Sequence, residues 1–314
     1  MSNVIHSVWT EKYRPHVIAN CILPKATASE FEGFIKVKKI PNLLLCGPAG
    51  TGKTTTALAL CHELEYDWIV INCSNEGRLI DTLRTKITNF ASSVSLEDKR
   101  KCVILDESDY LPNEIQAALR SFIEEFAGNC SFILTCNFPN RIMSALHSRC
   151  AVIDFTIPRD ERESLIIKLY KRVATILEQE SITFDKKALG AMVSKFFPDM
   201  RRLLNELQRK GVGGSIDAGS ISGAVESDLM ELVGFLKAKN FRETRKWVAT
   251  TPNLDLGYIS KELYNNMYEI CVHEDMPTLV MLLAEYQYKN SFVADKEINA
   301  MALFCEVMTS VRFK

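Results

Sequence analysis

Residues 43–54 read LLLCGPAGTGKT, an apolar run that breaks into a glycine-rich turn and ends in Gly-Lys-Thr. Glycines have no side chains, so successive backbone N–H groups in such a turn can curl inward around phosphate oxygens. Residues 55–61 predict a helix whose positive end faces those phosphates. In this pattern Lys53 reaches the β and γ phosphates, and the Thr54 hydroxyl binds Mg²⁺. The stretch predicts a nucleoside triphosphate site; a glycine-rich turn without a ligand is the alternative.

The overall composition is that of a globular chain of two or three domains, with 314 residues. No apolar run approaches the length of a membrane span, and the N-terminal residues lack a signal-peptide apolar region, so we expect a cytoplasmic protein with no membrane partner. Ten cysteines are scattered without a C-x-x-C pair, which indicates a reducing compartment. Because 38 basic residues balance 39 acidic ones, any DNA contact must come from a local patch or from several subunits together.

Four further apolar runs follow the glycine-rich turn, at 68–73, 102–105, 131–136 and 151–155, with amphipathic segments between them. The runs are continuous rather than alternating, which is typical of strands covered on both faces. This order predicts an α/β domain with a parallel five-stranded sheet and the phosphate loop at a carboxyl end. Everything beyond reads as helical. We place the domain boundaries near 156 and 226, which gives domains 1–156, 157–226 and 227–314.

Two acidic residues end the third apolar run, where the sequence reads Val-Ile-Leu-Asp106-Glu107. An aspartate at a strand tip can hold Mg²⁺ directly or through water. The next side chain points elsewhere, and Glu107 could orient or deprotonate an attacking water. The alternative is a solvated strand end. The position of the pair, after the phosphate loop in an alternating α/β pattern, favours the functional interpretation.

Other candidate polar residues lie after the fourth apolar run, just before the last run, and at a predicted helix start in the region beyond it. Asn137 could hydrogen-bond the γ phosphate or the attacking water, although asparagine at a strand end is more often a turn former. Arg149 could be inserted into a neighbouring subunit's site, and a surface ion pair is the alternative. Asp199 indicates a helix N-terminus, and Arg201 or Arg202 in its first turn could reach nucleotide phosphates or simply be solvated.

Possible DNA contacts rest on basic residues of the first domain. Phosphate contacts need only such groups pointed at one groove, although surface charges of this kind are usually just solvated. No aromatic stacking platform is visible. The candidates are Arg78, Arg84, Lys86, Arg100, Lys101 and Arg120.

Together these motifs resemble the clamp-loader branch of the AAA+ ATPases. Residues 9–15, WTEKYRP, are similar to its N-terminal signature, and 47–54 to its Walker A motif. LDES at 105–108 resembles Walker B, TCN at 135–137 sensor 1, SRC at 148–150 the arginine-finger motif and PDMRR at 198–202 sensor 2. Residues 21–24 and 88–92 are further similar to phage members.

Two positions depart from the family pattern. Ser108 stands where alanine is frequent, which leaves both acids intact. Pro198 stands where glycine is usual, which leaves Arg201 and Arg202 as alternatives.

The resemblance implies a role for each matching position. The catalytic residues would be Lys53, Asp106 on Mg²⁺ together with Thr54, Glu107 as the base, Asn137 as the γ-phosphate sensor, and Arg149 acting in trans. The nucleotide would contact Trp9, Tyr13, Arg14, Ile22, Gly47, Pro48, Ala49, Gly50, Thr51, Gly52, Lys53, Thr54, Thr55 and Arg201, the last from the lid. Positions that contact DNA or couple it to the ATP site would be Arg78, Gln116 and Arg120.

The implied architecture is an α/β AAA+ P-loop domain, a helical lid domain and an all-α collar that holds subunits in a ring. The implied function is an ATPase subunit of a sliding-clamp loader in DNA replication, with ATP and Mg²⁺ as cofactors and hydrolysis stimulated by DNA and clamp. Its partners would be the sliding clamp, a small subunit, further copies of the chain in a pentameric arc, and primer-template DNA. If a phage encodes it, the compartment is the host cytoplasm. We also expect an exposed apolar segment at 117–126, with Phe122, which is a candidate clamp contact.

Three rival functions stay open at this point. A binding scaffold would hold ATP without hydrolysing it, although the presence of Glu107 argues against this. A small-molecule phosphotransferase could use the same loop, but it would need neither a helical collar nor an intersubunit arginine. A third rival is another AAA+ nucleic-acid motor, for branch migration or helicase loading, which differs from a clamp loader only in its partners.

Overall fold

The computed structural model describes residues 8–74, 80–93, 99–216, 226–251, 256–290 and 292–314. The chain divides into two compact units, Met1–Ile221 and Ser222–Lys314. The first unit holds the glycine-rich turn and all the motifs quoted above. Because Arg78 falls in the stretch 75–79, this predicted DNA contact lies outside the described residues.

A five-stranded parallel sheet forms the centre of the first unit, as the sequence predicts. Its strands are β1 (Leu43–Cys46), β2 (Asp67–Asn72), β3 (Lys101–Asp106), β4 (Cys130–Cys136) and β5 (Ala151–Asp154). The spatial order is β2-β3-β4-β1-β5, and every pairing is parallel. The strand that leads into the glycine-rich turn therefore lies beside β4, and β4 lies beside β3. This order brings the ends of those three strands together.

Helices cover both faces of the sheet. The first-unit helices are α1 (Trp9–Lys12), α2 (Lys25–Val37), α3 (Lys53–Glu63), α4 (Ile80–Ser92), α5 (Asn113–Glu125) and α6 (Ser144–His147). Alternate strand residues such as Leu44 and Leu134 pack with α4 and α5 on one face. Their neighbours Leu43 and Ile133 pack with α2 and α3 on the other. Each central strand is therefore buried on both sides, which explains its continuous apolar run.

The edge strands differ from that expectation. In β2 the side chains of Trp68 and Val70 are 37% and 44% exposed, and in β5 Val152 is 49% exposed. Because β2 and β5 lie at the two margins of the sheet, the helical layers do not cover all of their outward residues. An apolar run predicts a strand, but it does not distinguish a central strand from an edge strand.

Three longer helices complete the first unit: α7 (Arg162–Gln179), α8 (Lys186–Phe196) and α9 (Met200–Gly211). They share a core in which Leu169, Leu189 and Leu207 are buried, and Trp9 packs into this core. A short parallel pair, β6 (Thr183–Phe184) and β7 (Ser215–Ile216), also lies here. The expectation that everything beyond residue 156 is helical is therefore wrong at this pair, because two residues per strand are too few to produce a recognisable pattern.

The second unit is helical in its described residues, apart from an isolated bridge between Cys271 and Phe313. Its helices are α10 (Glu226–Lys237), α11 (Phe241–Thr250), α12 (Leu256–Asn265), α13 (Met267–Ile270), α14 (Met276–Asn290) and α15 (Lys296–Ser310). Trp247, Leu279 and Phe304 are among the residues of its apolar core. None of the described helices is long and apolar enough to cross a membrane. The exact boundaries at 156 and 226 stay predictions.

Candidate functional site

The candidate site lies at the carboxyl edge of the central sheet, where β1 leads into the glycine-rich turn and α3. Gly47, Gly50 and Gly52 have φ values of 141°, 76° and 91°, a backbone region that side chains with a Cβ rarely adopt. At Gly50 a Cβ would also lie 2.0 Å from Asp199 Oδ1 of the α9 N-terminus. The turn therefore requires glycine there for conformation and for close approach to α9.

Lys53 is the most constrained side chain of the site. Its Nζ donates to the carbonyl oxygens of Gly47 and Pro48, both at 2.8 Å, and to Asn137 Oδ1 at 2.9 Å. Burial lowers the pKa of the Lys53 ammonium, and nearby acidic groups including Asp106 partly offset that effect. The ammonium is thus held at the turn by three oxygens, which phosphate oxygens can replace.

The Asp106 carboxylate accepts hydrogen bonds from two hydroxyl groups. Its Oδ1 accepts from Thr54 Oγ1 and from Thr135 Oγ1, each at 2.6 Å. A carboxylate and a threonine hydroxyl are oxygen ligands of the kind that Mg²⁺ prefers, so this pair fits a magnesium ion that also contacts substrate phosphates. Thr135 belongs to the TCN motif at 135–137, but the motif predicts no separate role for it. Its position shows that it orients Asp106.

Glu107 follows Asp106 with φ 57° and ψ 46°, a left-handed conformation that is uncommon for a residue with a side chain. Its backbone N–H donates to Thr135 Oγ1 at 3.1 Å, so Thr135 contacts both acidic residues. Both Glu107 and Asp106 line the cavity above the turn. Such strained backbone is often found at functional sites, where the surrounding structure holds it in place.

Asp109 holds Asn137 in place, a connection that the sequence did not reveal. Its Oδ2 accepts from the backbone N–H groups of Asn137 and Phe138, both at 3.3 Å, and Asp109 itself is buried. The segments that follow β3 and β4 are therefore fixed to each other. In the sequence, Asp109 is distinguished only as an acidic residue three positions after Asp106.

The other side of the cavity is formed by the N-terminal segment and the helices α7 and α9. Tyr13, Arg14 and Ile22 line it from the N-terminal side, and Arg172 and Arg201 line it from the helices. Arg14 Nε is a buried donor without a hydrogen-bond partner among the described residues, so a polar ligand would satisfy it. No sequence motif includes Arg172, whose Nη2 donates to the Tyr13 carbonyl at 3.2 Å.

Some predicted contacts fall in other places. Trp9 is not part of the cavity wall, because its side chain is buried among the helices α7 to α9. Ala49, Gly50, Thr51, Gly52 and Thr55 do line the cavity, while Gly47 and Pro48 face the Lys53 ammonium. Arg201 lines the cavity and Arg202 does not; the Arg202 guanidinium lies over the Phe196 ring, 5.5 Å from its centroid.

Among the described residues, Gln116, Arg120 and the segment 117–126, which were predicted to couple DNA or contact the clamp, do not line the cavity. Gln116 is buried and donates to the carbonyl oxygens of Leu111 and Arg141, both at 3.0 Å. Lys101 was a candidate DNA contact, but its side chain is buried and donates to Phe90 and Ser93. The proposal that 117–126 is an exposed apolar segment is also wrong, because the buried residues Leu119, Phe122 and Ile123 are on the core face of α5.

Arg149 is likewise outside its own chain's cavity. Its guanidinium lies against Glu124 of α5, where Nε donates to Glu124 Oε1 at 2.8 Å and Nη2 donates to the same oxygen. Of the residues that the structure describes, those lining the cavity include Arg14, Arg172 and Arg201 but not Arg149. The structure therefore brings together Lys53, Thr54, Asp106, Glu107 and Asn137, and leaves Arg149 apart from them.

Comparison with known proteins yields two family models. One is the ATPase family associated with various cellular activities (AAA), over residues 43–157, and the other is the sliding-clamp-loader large subunit AAA+ ATPase lid domain, over 161–222. The chain is 33% identical over 314 residues to the sliding-clamp-loader large subunit of Enterobacteria phage T4, covering 97% of this chain and 96% of that protein. It is 34% identical over 251 residues to the replication factor C small subunit of Archaeoglobus fulgidus, covering 76% of each.

The solved structures that resemble this chain include a RuvB mutant from Thermotoga maritima. The two align over 80% of this chain and 85% of the other, with a TM-score of 0.55 and 16% identity. At that identity the likeness concerns the fold alone.

Proposed function

The chain belongs to the sliding-clamp-loader family of AAA+ ATPases, and we propose that it is the ATPase subunit that opens a ring-shaped clamp and closes it on primer-template DNA. Nucleotide binding and ATP hydrolysis follow from the AAA family as a whole. We further propose that DNA and clamp together stimulate hydrolysis. The working assembly would be a pentameric arc of several copies of this chain with a clamp-loader small subunit.

Within one chain, the residues at the sheet edge would bind and orient ATP. Phosphate oxygens would replace the carbonyl and amide oxygens now held by Lys53, whose ammonium would then neutralise phosphate charge. Thr54 and Asp106 would hold the magnesium ion, which would supply positive charge to neutralise the phosphates. Arg201 would reach the nucleotide from α9, the helix that contacts the glycine-rich turn through the Met200 N–H to Gly50 carbonyl hydrogen bond at 3.1 Å.

Hydrolysis would use the two residues that Thr135 and Asp109 hold in place. Glu107 would accept a proton from the attacking water, and Asn137 would hydrogen-bond that water or the γ phosphate. Both side chains line the same cavity as Lys53. The site of a single chain would thus supply a general base, two magnesium ligands and a phosphate-binding lysine, which argues against a scaffold that only binds ATP.

The observation that carries the proposal is the location of Arg149. The guanidinium is held at the outer surface by Glu124, outside the cavity of its own chain. An arginine placed in a neighbour's site stabilises the charge of a phosphoryl-transfer transition state. We propose that ATP bound between adjacent copies fixes a spiral that grips the open clamp. DNA inside the spiral then aligns Glu107 with the neighbour's Arg149, and hydrolysis releases the closed clamp.

Steady-state ATP hydrolysis by the chain with its small subunit tests this function. The rate would be measured with neither ligand, with primer-template DNA, with sliding clamp, and with both. We expect strong stimulation only with both ligands, and loss of that stimulation in Arg149→Ala. Arg209→Ala is the control, because Arg209, like Arg149, is an arginine in an ion pair, here with Glu206 at 2.7 Å, and it does not line the cavity.

The rivals give different results in the same assay. A rate that is indifferent to DNA, clamp and Arg149 would contradict the clamp-loading proposal and favour a phosphotransferase. Stimulation by DNA but not by clamp would favour another nucleic-acid motor. Binding of ATP without any hydrolysis would favour the scaffold.

A further inference from the structure

The C-terminal end of α5, called its outer end below, carries Glu124, whose carboxylate belongs to none of the sequence motifs. Glu124 Oε1 accepts from Arg149 Nε at 2.8 Å and from Arg149 Nη2. Arg149 Nη1 donates to the Ala145 carbonyl at 2.8 Å. The guanidinium of the proposed trans-acting arginine is therefore fixed along one edge by a carboxylate and at another nitrogen by a backbone oxygen.

The contact differs from an ordinary surface ion pair in its geometry. Isolated exposed pairs contribute little, because two long side chains must be ordered for one screened interaction. Here the Arg149 side chain is only 24% exposed, and three separate donor contacts define its orientation. The hydrogen bond from Arg149 is the main reason that the pKa of the Glu124 carboxyl is lowered, so the carboxylate is charged at neutral pH.

The helix that carries Glu124 is itself firmly held. Phe122 and Ile123, the two residues before it, are buried in the core of the first unit. At the other end of α5, Gln116 Oε1 accepts from the Met143 N–H at 2.8 Å, just before α6 and the SRC segment. Glu124 is therefore presented to Arg149 by a rigid support, and a rigid support is what accurate placement of a catalytic group requires.

The contact leaves part of the guanidinium available. An arginine side chain carries five N–H donors, of which the contacts with Glu124 and Ala145 use three. A longer contact from Nη1 to Ser148 Oγ, at 3.4 Å, is the weakest of the set. Two donors, one on each Nη atom, can thus face a phosphate while the Nε edge stays on Glu124.

We propose that Glu124 is the positioning residue for Arg149. It holds the Nε edge of the guanidinium so that the outer N–H groups face the nucleotide of the neighbouring subunit. Arg120, one turn earlier on α5, also lies 4.0 Å from Glu124 Oε1, but Arg149 makes the shorter contacts. Glu124 does not line the cavity, so we assign its effect on the reaction to Arg149. The proposal rests on the trans role of Arg149 given under the proposed function.

A double-mutant cycle tests the proposal in the assembled ATPase with small subunit, clamp and DNA. Glu124→Ala should lower the stimulated kcat about tenfold, because a misplaced catalytic group costs rate, and should leave the KM for ATP unchanged. Glu124→Gln keeps an acceptor at the same place and should lose less. Glu125→Ala, the exposed neighbour on the same helix, should match the unmodified protein. Unchanged melting temperatures would show that all variants are folded.

The decisive comparison places Glu124→Ala in an Arg149→Ala background. If Glu124 works through Arg149, the double variant is no slower than Arg149→Ala alone. A normal rate in Glu124→Ala, or an equal further loss in the double variant, overturns the positioning role while the trans role of Arg149 stands. A normal rate in Arg149→Ala itself would instead overturn the proposed function and this inference with it.

Discussion

The carboxyl edge of the sheet and the outer end of α5 differ in how they hold their functional groups. At the sheet edge, Lys53 and Asp106 are fixed by short contacts within one chain, around a cavity that the same chain encloses. At the outer end of α5, Arg149 is equally well fixed, but on the surface and away from that cavity. In the proposed function, the first region binds nucleotide within one chain, whereas the second contributes only to the site of a neighbouring copy. Under that proposal, assembly rather than folding completes the catalytic set.

Lys53→Ala should reveal the largest difference between the two regions, in their effect on ATP affinity. The isolated chain should lose ATP affinity by about 100-fold or more, because charge-assisted contacts to phosphate are lost. Arg149→Ala should leave the affinity of the isolated chain unchanged. Isothermal titration calorimetry would measure both, with the exposed Lys36→Ala as control. Equal losses in Lys53→Ala and Arg149→Ala would contradict the division.

Glu107→Gln should separate binding from chemistry within the first region. The amide keeps the shape of the side chain but cannot accept the proton from water, so the stimulated kcat should fall by about 100-fold or more. ATP affinity should stay near that of the unmodified chain. Glu114→Gln, an exposed glutamate of α5, is the control for loss of one negative charge. A tighter or weaker ATP complex without any loss of kcat would argue against a general base.

Thr135→Val should have a moderate effect, because it removes a hydroxyl that contacts both acidic residues. The Oγ1 atom donates to Asp106 and accepts from the Glu107 N–H, so its loss loosens two groups at once. We expect about a tenfold fall in kcat, together with a higher magnesium requirement. Thr135→Ser retains the hydroxyl and should recover most of the activity. Magnesium titrations of the ATPase rate would reveal whether Asp106 is affected.

Phe122→Ala should change stability and leave clamp binding alone. The side chain is buried against the sheet, so truncation should lower the free energy of unfolding by about 3 to 5 kcal/mol. Thermal unfolding would measure this, and Glu125→Ala would serve as the surface control. Clamp affinity, measured below the melting temperature, should stay the same. A large loss of clamp affinity with unchanged stability would restore the clamp-contact hypothesis for this segment.

Much of the site was predictable because Asp106 and Asn137 lie at the ends of apolar strands and Lys53 follows the glycine-rich turn after another. In a parallel sheet the carboxyl ends share one edge, so Lys53, Asp106 and Asn137 were expected to meet there. Two predicted contacts lie elsewhere, because their positions depend on packing between distant parts of the chain. Trp9 enters the core of α7 to α9, and Lys101 is buried over carbonyl oxygens, although both are amphipathic side chains that sequence alone leaves free to face solvent.

The supporting contacts were the least predictable part. Glu124 is separated from Arg149 by 25 positions along the chain, and nothing in its local sequence distinguishes it from the neighbouring Glu125. Arg172 likewise reaches the cavity only because α7 packs beside the N-terminal segment. Motif spacing identifies residues that touch the ligand. It does not identify the residues that hold them in place.

The most direct test of completion by assembly is a mixing experiment with two inactive variants. Arg149→Ala retains Glu107, and Glu107→Gln retains Arg149, so each can supply what the other lacks across an interface. ATP hydrolysis would be measured for each variant alone and for an equal mixture, all with small subunit, clamp and DNA. We expect the mixture to regain part of the activity while each variant alone stays inactive. A mixture as inactive as its components would contradict the trans role of Arg149.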